Sequence, residues 1–304
     1  MAYDSIVCVK QVPDTANITA EAMKEDGTVN RGALPTVFNP EDLHALETAL
    51  GVRDEYGGSV TVVSMGPPKA ADVLRESLYR GADRAILLTD RRAAASDTLA
   101  TSYILAQAVR TVGRYDLVFC GRQAIDGDTA QVGPQCAEKL GLPQITYLQD
   151  LLGIHDRVVR VRRNTGHGWE IVEARLPVLI TVLESANEAR PPAAKRVMRL
   201  KRAKVPAEVA TEVKAALPDV SDEQLAAETR RRIESLQAAG LLVEQWDLDR
   251  IGADLGRCGL AGSPTKVHRV QAIVLTKEGY TEIAPTEPGI RNLIHELVVD
   301  RTWG

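Results

Sequence analysis

Two aspartates around one glycine, Asp126 and Asp128 around Gly127, follow an apolar run and precede a helical pattern. We predict a helix that begins near Thr129. The first N–H groups of such a helix have no intrahelical acceptor and carry a partial positive charge, which attracts phosphate. Gly127 would permit positive φ and the close approach of a ligand, and Asp128 or Thr129 would cap the helix.

Further donors follow in the same segment: the side chain of Gln131 and the amides near Val132 and Gly133. Two carboxylates beside a phosphate would repel it, so Asp126 and Asp128 are expected to cap the helix or to accept from ribose hydroxyls and a base. Two ordinary turn aspartates before a helix are the alternative. The chain has neither G-x-G-x-x-G nor G-x-x-x-x-G-K-[ST]. These residues alone therefore lead to an adenine-nucleotide type of site and no further.

The composition is that of an ordinary soluble globular protein, since 44% of the 304 residues are hydrophobic and 26% are charged. A formal net charge of −4 gives no reason to expect nucleic acid as a partner. No apolar run approaches the roughly 20 residues that span a bilayer, and the N-terminal sequence MAYDSIVCVK has no secretory cleavage pattern. The sequence therefore predicts a cytoplasmic protein without a transmembrane segment.

Neither a metal centre nor a set of catalytic side chains is indicated. The four cysteines, Cys8, Cys120, Cys136 and Cys258, form no C-x-x-C pair, and the five histidines are scattered. The cysteines are expected to be small buried hydrophobes in a reducing compartment. Redox chemistry would then depend on a bound cofactor.

Short apolar runs alternate with helical patterns through the first half of the chain. The predicted strands are 5–10, 59–66, 84–89 and 116–121, and the predicted helices are 40–57, 69–81, 97–113 and 129–141. This alternation indicates an α/β fold with a doubly wound, mostly parallel sheet covered on both faces. If the strand order is 3-2-1-4-5, strands 1 and 4 are neighbours at the crevice where such sheets bind ligands. The segments 9–15 and 120–129 would meet there.

The rhythm changes from about residue 145. The runs 158–163 and 169–183 surround the turn NTGHG, look antiparallel, and would extend one edge of the sheet. They complete a predicted nucleotide-binding domain over residues 1–189. Residues 190–304 would form a basic linker, an inserted helix and a C-terminal arm.

The linker 190–204 holds seven basic residues and no acidic one. Nucleic acid is one possible partner for such a run, but no aromatic residue is interleaved and the whole chain is acidic. A solvated linker or a docking strip for an acidic partner is therefore favoured.

A separate helix over 221–240 is predicted, with a capping box formed by Ser221 and Gln224 and with Gly240 at its end. The tail beyond it carries Trp246 and ends in the apolar patch 289–299. This tail lacks the density of apolar residues for a core of its own, so we expect it to lie on another subunit.

Several motifs in matching order and spacing resemble the β subunit of electron-transfer flavoproteins. They are CVKQVPDT at 8–15, NPED at 39–42, CGRQAIDGDTAQVGP at 120–134 and LPVLITV at 176–182. The basic run at 190–204 falls where that family has a basic segment of its own. The resemblance covers nearly the whole chain, most firmly 4–204, and the insertion around 205–245 is the main departure. It implies an adenine-nucleotide-binding α/β domain and a larger α-subunit partner that binds FAD.

The family contains two kinds of β subunit. In the ordinary kind, the β subunit holds a structural AMP, and the complex carries electrons between an acyl-CoA dehydrogenase and a quinone reductase. In the bifurcating kind, the β subunit holds a second FAD, which accepts a hydride from NADH. The electron pair is then split between the α-subunit FAD and a low-potential acceptor, ferredoxin or flavodoxin.

Arg122 in place of lysine, the turn DGDTAQVGP and the stretch SDTLATS at 96–102 all resemble the bifurcating kind. Arginine for lysine is not a neutral exchange near a pyrophosphate, because the guanidinium makes paired hydrogen bonds. FAD is therefore expected in the β subunit, with AMP as the alternative. A third hypothesis is a non-redox nucleotide-binding module, similar to universal stress proteins, without an α partner.

The resemblance also implies which residues surround the nucleotide. They come from the strand ends, the NPED loop, the SDT stretch and the turn after strand 4: Val9, Lys10, Asn39, Asp42, Ser64, Met65, Gly66, Thr89, Asp97, Thr98, Gly121, Arg122, Gln123, Ala124, Asp126, Gly127, Thr129, Gln131, Val132 and Gly133. The stretch SPTKV at 263–267 is similar to the family's C-terminal arm, which wraps the α subunit. No catalytic acid or base is assigned, because hydride transfer from nicotinamide to flavin needs none.

Overall fold

The structure, a computed structural model, describes residues 2–14, 34–265 and 282–299. The strands in this part of the chain are β1 Ser5–Cys8, β2 Gln11–Pro13, β3 Thr36–Phe38, β4 Val60–Met65, β5 Arg84–Leu88, β6 Leu117–Gly121, β7 Gln144–His155, β8 Val158–Asn164, β9 Trp169–Arg175, β10 Val178–Val182 and β11 Glu244–Trp246. The helices are α1 Pro40–Tyr56, α2 Ala71–Arg80, α3 Thr98–Val112, α4 Val132–Leu140, α5 Ala194–Leu200, α6 Pro206–Ala216, α7 Asp222–Ala238 and α8 Glu287–Val299.

Nine of the described strands form one sheet in the order β11-β5-β4-β1-β6-β10-β7-β8-β9. The strands β5, β4, β1, β6 and β10 all pair in parallel. This confirms the predicted 3-2-1-4-5 core, in which β10 is the fifth strand. Helices α1 and α2 supply the apolar core on one face, and α3 and α4 supply the core on the other.

Local sequence signals account for the ends of several helices. Pro40 occupies the first turn of α1, where its missing N–H costs nothing, and Gly57 follows the helix with φ 82°. Asp97 caps α3 by accepting a hydrogen bond from the amide of Ala100. Ser221 and Gln224 form the predicted capping box at the start of α7.

The helix predicted to begin near Thr129 begins three residues later. Helix α4 starts at Val132, and its N-cap is Gln131, whose side chain makes no capping hydrogen bond. Asp128 and Ala130 have φ values of 49° and 52°. The backbone there is left-handed, so helical geometry is impossible before Gln131. The expectation that Asp128 or Thr129 caps this helix is therefore wrong.

The long run 169–183 is two strands rather than one. Strand β9 pairs antiparallel with β8 as predicted, but it ends at Arg175. The chain then returns to the centre of the sheet as β10, between β6 and β7. Strand β7 escaped the sequence prediction, because register shifts at Leu148/Asp150 and Leu151/Gly153 break its apolar alternation.

The tail packs on its own chain as far as residue 265. Strand β11 extends the sheet beside β5, and Trp246, Leu248, Ile251 and Cys258 are buried in the same core as α3 and α4. This part of the tail therefore belongs to the core of its own domain, and its contact with another subunit stays a prediction. Isolated apolar residues in irregular segments form no core of their own, but they are buried when the fold brings them against apolar residues of other elements. Residues 266 and 267 of the SPTKV stretch lie outside the described residues.

Part of the basic run braces the domain. Arg190 pairs with Glu47 and Asp54 of α1, and Arg196 donates to the carbonyls of Leu78 and Ala82. Lys204 pairs with Glu212 of α6.

Candidate functional site

A cavity of about 440 Å³ opens at the carboxyl ends of β1 and β6. Its volume lies within the roughly 300–1,000 Å³ of small-molecule pockets. The two strands are in register, with Cys8 opposite Cys120, so the segments that leave them meet across the crevice. The predicted meeting of residues 9–15 and 120–129 is confirmed for the described part, which ends at Asp14 on the first segment.

Sixteen of the predicted site residues line this cavity: Val9, Lys10, Asp42, Met65, Asp97, Thr98, Gly121, Arg122, Gln123, Ala124, Asp126, Gly127, Thr129, Gln131, Val132 and Gly133. Asp128, considered above as a helix cap or a ribose acceptor, also lines it, and sequence reasoning did not select eight further lining residues: Cys8, Ala93, Ala95, Ser96, Thr101, Leu105, Cys120 and Ala130. Most of these are small or apolar. Such residues carry no chemical signal until the fold places them around a space.

The other four predicted residues do not line the cavity. Asn39 and Ser64 are completely buried, and the Ser64 hydroxyl has no hydrogen-bond partner in the described structure. The amide of Gly66 donates to Leu88 O at 3.0 Å, and that of Thr89 donates to Trp246 O at 3.0 Å. These four residues support the strand ends around the site.

The first turn of α1 clamps the loop that follows β6. Asn39 donates to Gln123 O at 2.9 Å and accepts from the amide of Ile125 at 3.1 Å. Glu41 accepts from the amide of Gln123 at 2.8 Å and pairs with the guanidinium of Arg122 at 2.7 Å. The NPED motif therefore acts mainly by holding loop 121–125 in place.

Asp42 joins the two strand ends beneath the cavity. Its carboxylate accepts from the amide of Lys10 at 2.9 Å and from the amide of Gly121 at 3.0 Å. Burial, which disfavours the charged form, raises the pKa of Asp42 to about 7, although its hydrogen bonds and the nearby Lys10 act in the opposite direction.

The turn between β6 and α4 presents a row of unpaired amides. Ala130 has a left-handed φ of 52°, while Gln131 is right-handed with φ −100° and ψ −28°. Successive residues of opposite hand form a backbone nest, which binds anions. Within the described part of the chain, the amides from Thr129 to Gly133 have no protein acceptor. The left-handed residues of this turn are Asp128 and Ala130 rather than Gly127, whose φ is not positive.

Polar side chains bridge the cavity walls. The ammonium of Lys10 lies 2.7 Å from the carboxylate of Asp126. Asp128 accepts from Gln123 Nε2 at 2.9 Å, so neither aspartate caps α4. The hydroxyl of Thr98 donates to Gln131 Oε1 at 3.0 Å and connects the starts of α3 and α4.

Two glycines allow the backbone segments of the site to approach one another. A Cβ atom at Gly121 would lie 2.5 Å from Asp42 Oδ1, and one at Gly133 would lie 2.7 Å from Thr181 Cγ2 on β10. Both distances are too short for real atoms. These glycines therefore act through packing, whereas a Cβ at Gly127 would meet nothing within 4 Å.

Comparison with known proteins shows which family the chain belongs to. A family model described as an electron transfer flavoprotein domain matches residues 26–212. Protein FixA of Azorhizobium caulinodans is 42% identical over 294 residues, covering 93% of this chain and 90% of that protein. The electron transfer flavoprotein subunit beta of Megasphaera elsdenii is 39% identical over 308 residues, covering 97% and 99%. The chain belongs to the electron-transfer flavoprotein family.

Within that family the chain is a β subunit, as the sequence motifs predicted. The electron transfer flavoprotein subunit beta of Clostridium acetobutylicum, 37% identical over 292 residues, covers 96% of both chains. The family match includes the α1 clamp, the SDT stretch and the β6–α4 turn. In the described part of this β subunit, no cluster of three or more potential metal ligands occurs. None of the described helices combines the length and apolar character needed to cross a bilayer.

Proposed function

We propose that this β subunit binds FAD in the cavity and serves NADH-dependent electron bifurcation together with an FAD-binding α subunit. When bound, the flavin would accept a hydride from NADH and pass single electrons to the α-subunit FAD and to ferredoxin or flavodoxin. The protein would hold the dinucleotide, orient it and limit its contact with water.

The backbone nest before α4 is the observation that carries the proposal. Five consecutive amides from Thr129 to Gly133 lack a protein acceptor in the described part of the chain. A helix N-terminus adds partial positive charge at the same place. A phosphate or diphosphate group would accept hydrogen bonds from these amides and would be attracted by this positive charge.

The lining of the cavity supports FAD over AMP. Besides the residues of the nest, it includes Ala93, Ala95 and Ser96 and the apolar side chains of Met65 and Leu105. A mononucleotide would need only the nest and its surroundings, whereas a flavin dinucleotide would also use these further residues.

Arg122 and Lys10 supply the cationic side chains of the cavity. Nε of Arg122 is buried and has no hydrogen-bond partner in the described structure, while its terminal nitrogen is held by Glu41 at 2.7 Å. A ligand acceptor would satisfy this buried donor. Lys10, now paired with Asp126, would turn to the diphosphate and leave Asp126 to accept from ribose hydroxyls.

The partners proposed are an α subunit and, through the complex, an acidic electron carrier or a dehydrogenase. Four exposed cations on and after α5, Lys195, Arg199, Lys201 and Arg202, form no ion pair within the described chain. Exposed cations without counter-ions favour contact with an acidic protein. Acyl-CoA dehydrogenase, quinone reductase, ferredoxin and flavodoxin are the candidates, and the proposed location is the cytoplasm.

The test is the nucleotide content of the purified α/β complex. We expect two FAD per heterodimer after denaturation and chromatography, with NADH bleaching both flavins. One FAD plus one AMP would refute the bifurcating function and support the ordinary kind, in which AMP is structural. A nucleoside triphosphate without flavin would support the non-redox module, which the family match already disfavours.

A further inference from the structure

One wall of the cavity is formed by residues 93–98, and this wall is held from outside by a later segment of the same chain. Ala93, Ala95, Ser96, Asp97 and Thr98 line the cavity. The segment concerned, residues 259–265, follows the buried Cys258. It is the last described stretch before residue 282.

Three hydrogen bonds connect the segment to Ser96 and Asp97 of the wall. The amide of Asp97 donates to Ser263 Oγ at 2.8 Å, and the amide of Gly259 donates to Ser96 Oγ at 3.1 Å. The amide of Thr265 donates to Asp97 Oδ2 at 3.0 Å. Since the other oxygen of Asp97 caps α3 through the amide of Ala100, one carboxylate links the helix, the wall and the segment.

The segment packs closely against the wall. A Cβ at Gly259 would lie 2.2 Å from the carbonyl oxygen of Arg92 and 3.2 Å from that of Ala94. The next residue, Ala95, has a φ of 60°. A left-handed alanine is costly and persists only where its surroundings impose it. The surroundings here include Ser263, whose hydroxyl lies 3.4 Å from Ala95 O.

Ser263 is the residue on which this arrangement depends. It is buried, and its hydroxyl accepts from Asp97 and donates to Gly259 O at 2.7 Å. It does not line the cavity. Loss of the hydroxyl would leave the half-buried amide of Asp97 without a protein partner and would free the wall to relax.

We infer that Ser263 and Asp97 are positioning residues that couple the nucleotide cavity to the C-terminal segment, so that FAD binding and docking of residues 259–265 strengthen each other. This inference rests on the proposed function. It extends the proposed function by identifying the segment whose docking depends on whether the cavity holds a ligand. The coupling is reciprocal, because a ligand that orders the wall must also stabilise the segment docked on it.

The first experiment measures FAD affinity of the full-length chain with and without the Ser263 hydroxyl. We expect Ser263→Ala to weaken FAD binding about tenfold, which corresponds to one hydrogen bond of the wall. Ser77→Ala is the matched control, because Ser77 is equally buried and its hydroxyl bonds Val73 O at 2.7 Å inside α2, away from the cavity. Both variants should lose thermal stability, but only Ser263→Ala should lose affinity. Equal affinities in Ser263→Ala and the unmodified chain would overturn the inference.

The second experiment uses the unmodified chain, so it can be carried out even if the Ser263→Ala variant does not fold. Hydrogen exchange of the Gly259 and Thr265 amides is measured with and without FAD. We expect FAD to slow both amides, while the Leu225 amide of α7, bonded to Ser221 O, stays unchanged. Unaltered exchange in the segment despite FAD binding would refute the coupling alone. A chain that binds no FAD would instead refute the proposed function.

Discussion

The close approach of α4 to β10 can be tested by adding one methyl group. In Gly133→Ala the new Cβ would lie 2.7 Å from Thr181 Cγ2, a buried methyl. Overpacking of this kind costs about 1–3 kcal/mol, while alanine regains up to about 1 kcal/mol of helix propensity relative to glycine. We therefore expect a net loss of about 1–2 kcal/mol in the free energy of unfolding, and weaker FAD binding because the amides of α4 shift.

A compensating substitution makes the prediction specific. Thr181→Ser removes only Cγ2 and keeps the hydroxyl that accepts from the amide of Tyr147 at 3.1 Å. Alone it should cost about 1 kcal/mol for the lost buried methyl. Combined with Gly133→Ala it should remove the clash, so that the two substitutions couple by about 1–2 kcal/mol in a double-mutant cycle from urea unfolding. Additivity within about 0.5 kcal/mol would show that Gly133 is not required for close packing.

Three further predictions concern charge and capping. Because the pKa of Asp42 is raised to about 7 from 3.8, the folded state binds more protons between these values; urea unfolding should therefore show stability falling as pH rises from 4 to 7, by a few kcal/mol at most. Asp42→Asn should flatten this slope, and an unchanged slope would assign it to another group. Lys10→Met removes a cation from the cavity and leaves Asp126 unpaired, so FAD titration should show an affinity loss of about tenfold that becomes smaller in high salt. Lys201→Met, away from the cavity, should bind FAD with unchanged affinity. Equal losses in the two variants would contradict a local role of Lys10. Ser221→Ala should lower the stability of α7 by about 1 kcal/mol, seen as faster hydrogen exchange in that helix at unchanged FAD affinity, and unaltered exchange would mean that the cap contributes nothing.

Elements with long periodic patterns were predictable because their signal is local. Helix α1 begins at Pro40 and ends before Gly57, and α3 follows the capping residue Asp97. The four buried strands of the first half read as continuous apolar runs, which is what burial on both faces requires. Once their order was taken as 3-2-1-4-5, the position of the site followed from the geometry of parallel sheets.

Predictions failed where the backbone conformation depends on distant contacts. The onset of α4 was placed too early, because the left-handed φ of Asp128 and Ala130 is imposed on residues that do not prefer it. Asn39 was expected at the ligand, yet its amide is used to hold Gln123 and Ile125. A polar side chain in a motif can serve the ligand or the loop that meets the ligand, and residue type does not distinguish these roles.

The order of residues along the chain was enough to establish the α/β class, the parallel core and the crevice between strands 1 and 4, because side-chain periodicity and turn residues act over a few positions. The family followed from motif spacing for the same reason. Tertiary structure alone decided that β10 returns to the centre of the sheet and that Ser263 braces a cavity wall formed around Asp97. The bond between Asp97 and Ser263 joins residues 166 positions apart. It stabilises the structure only after packing has brought both residues together and removed them from water.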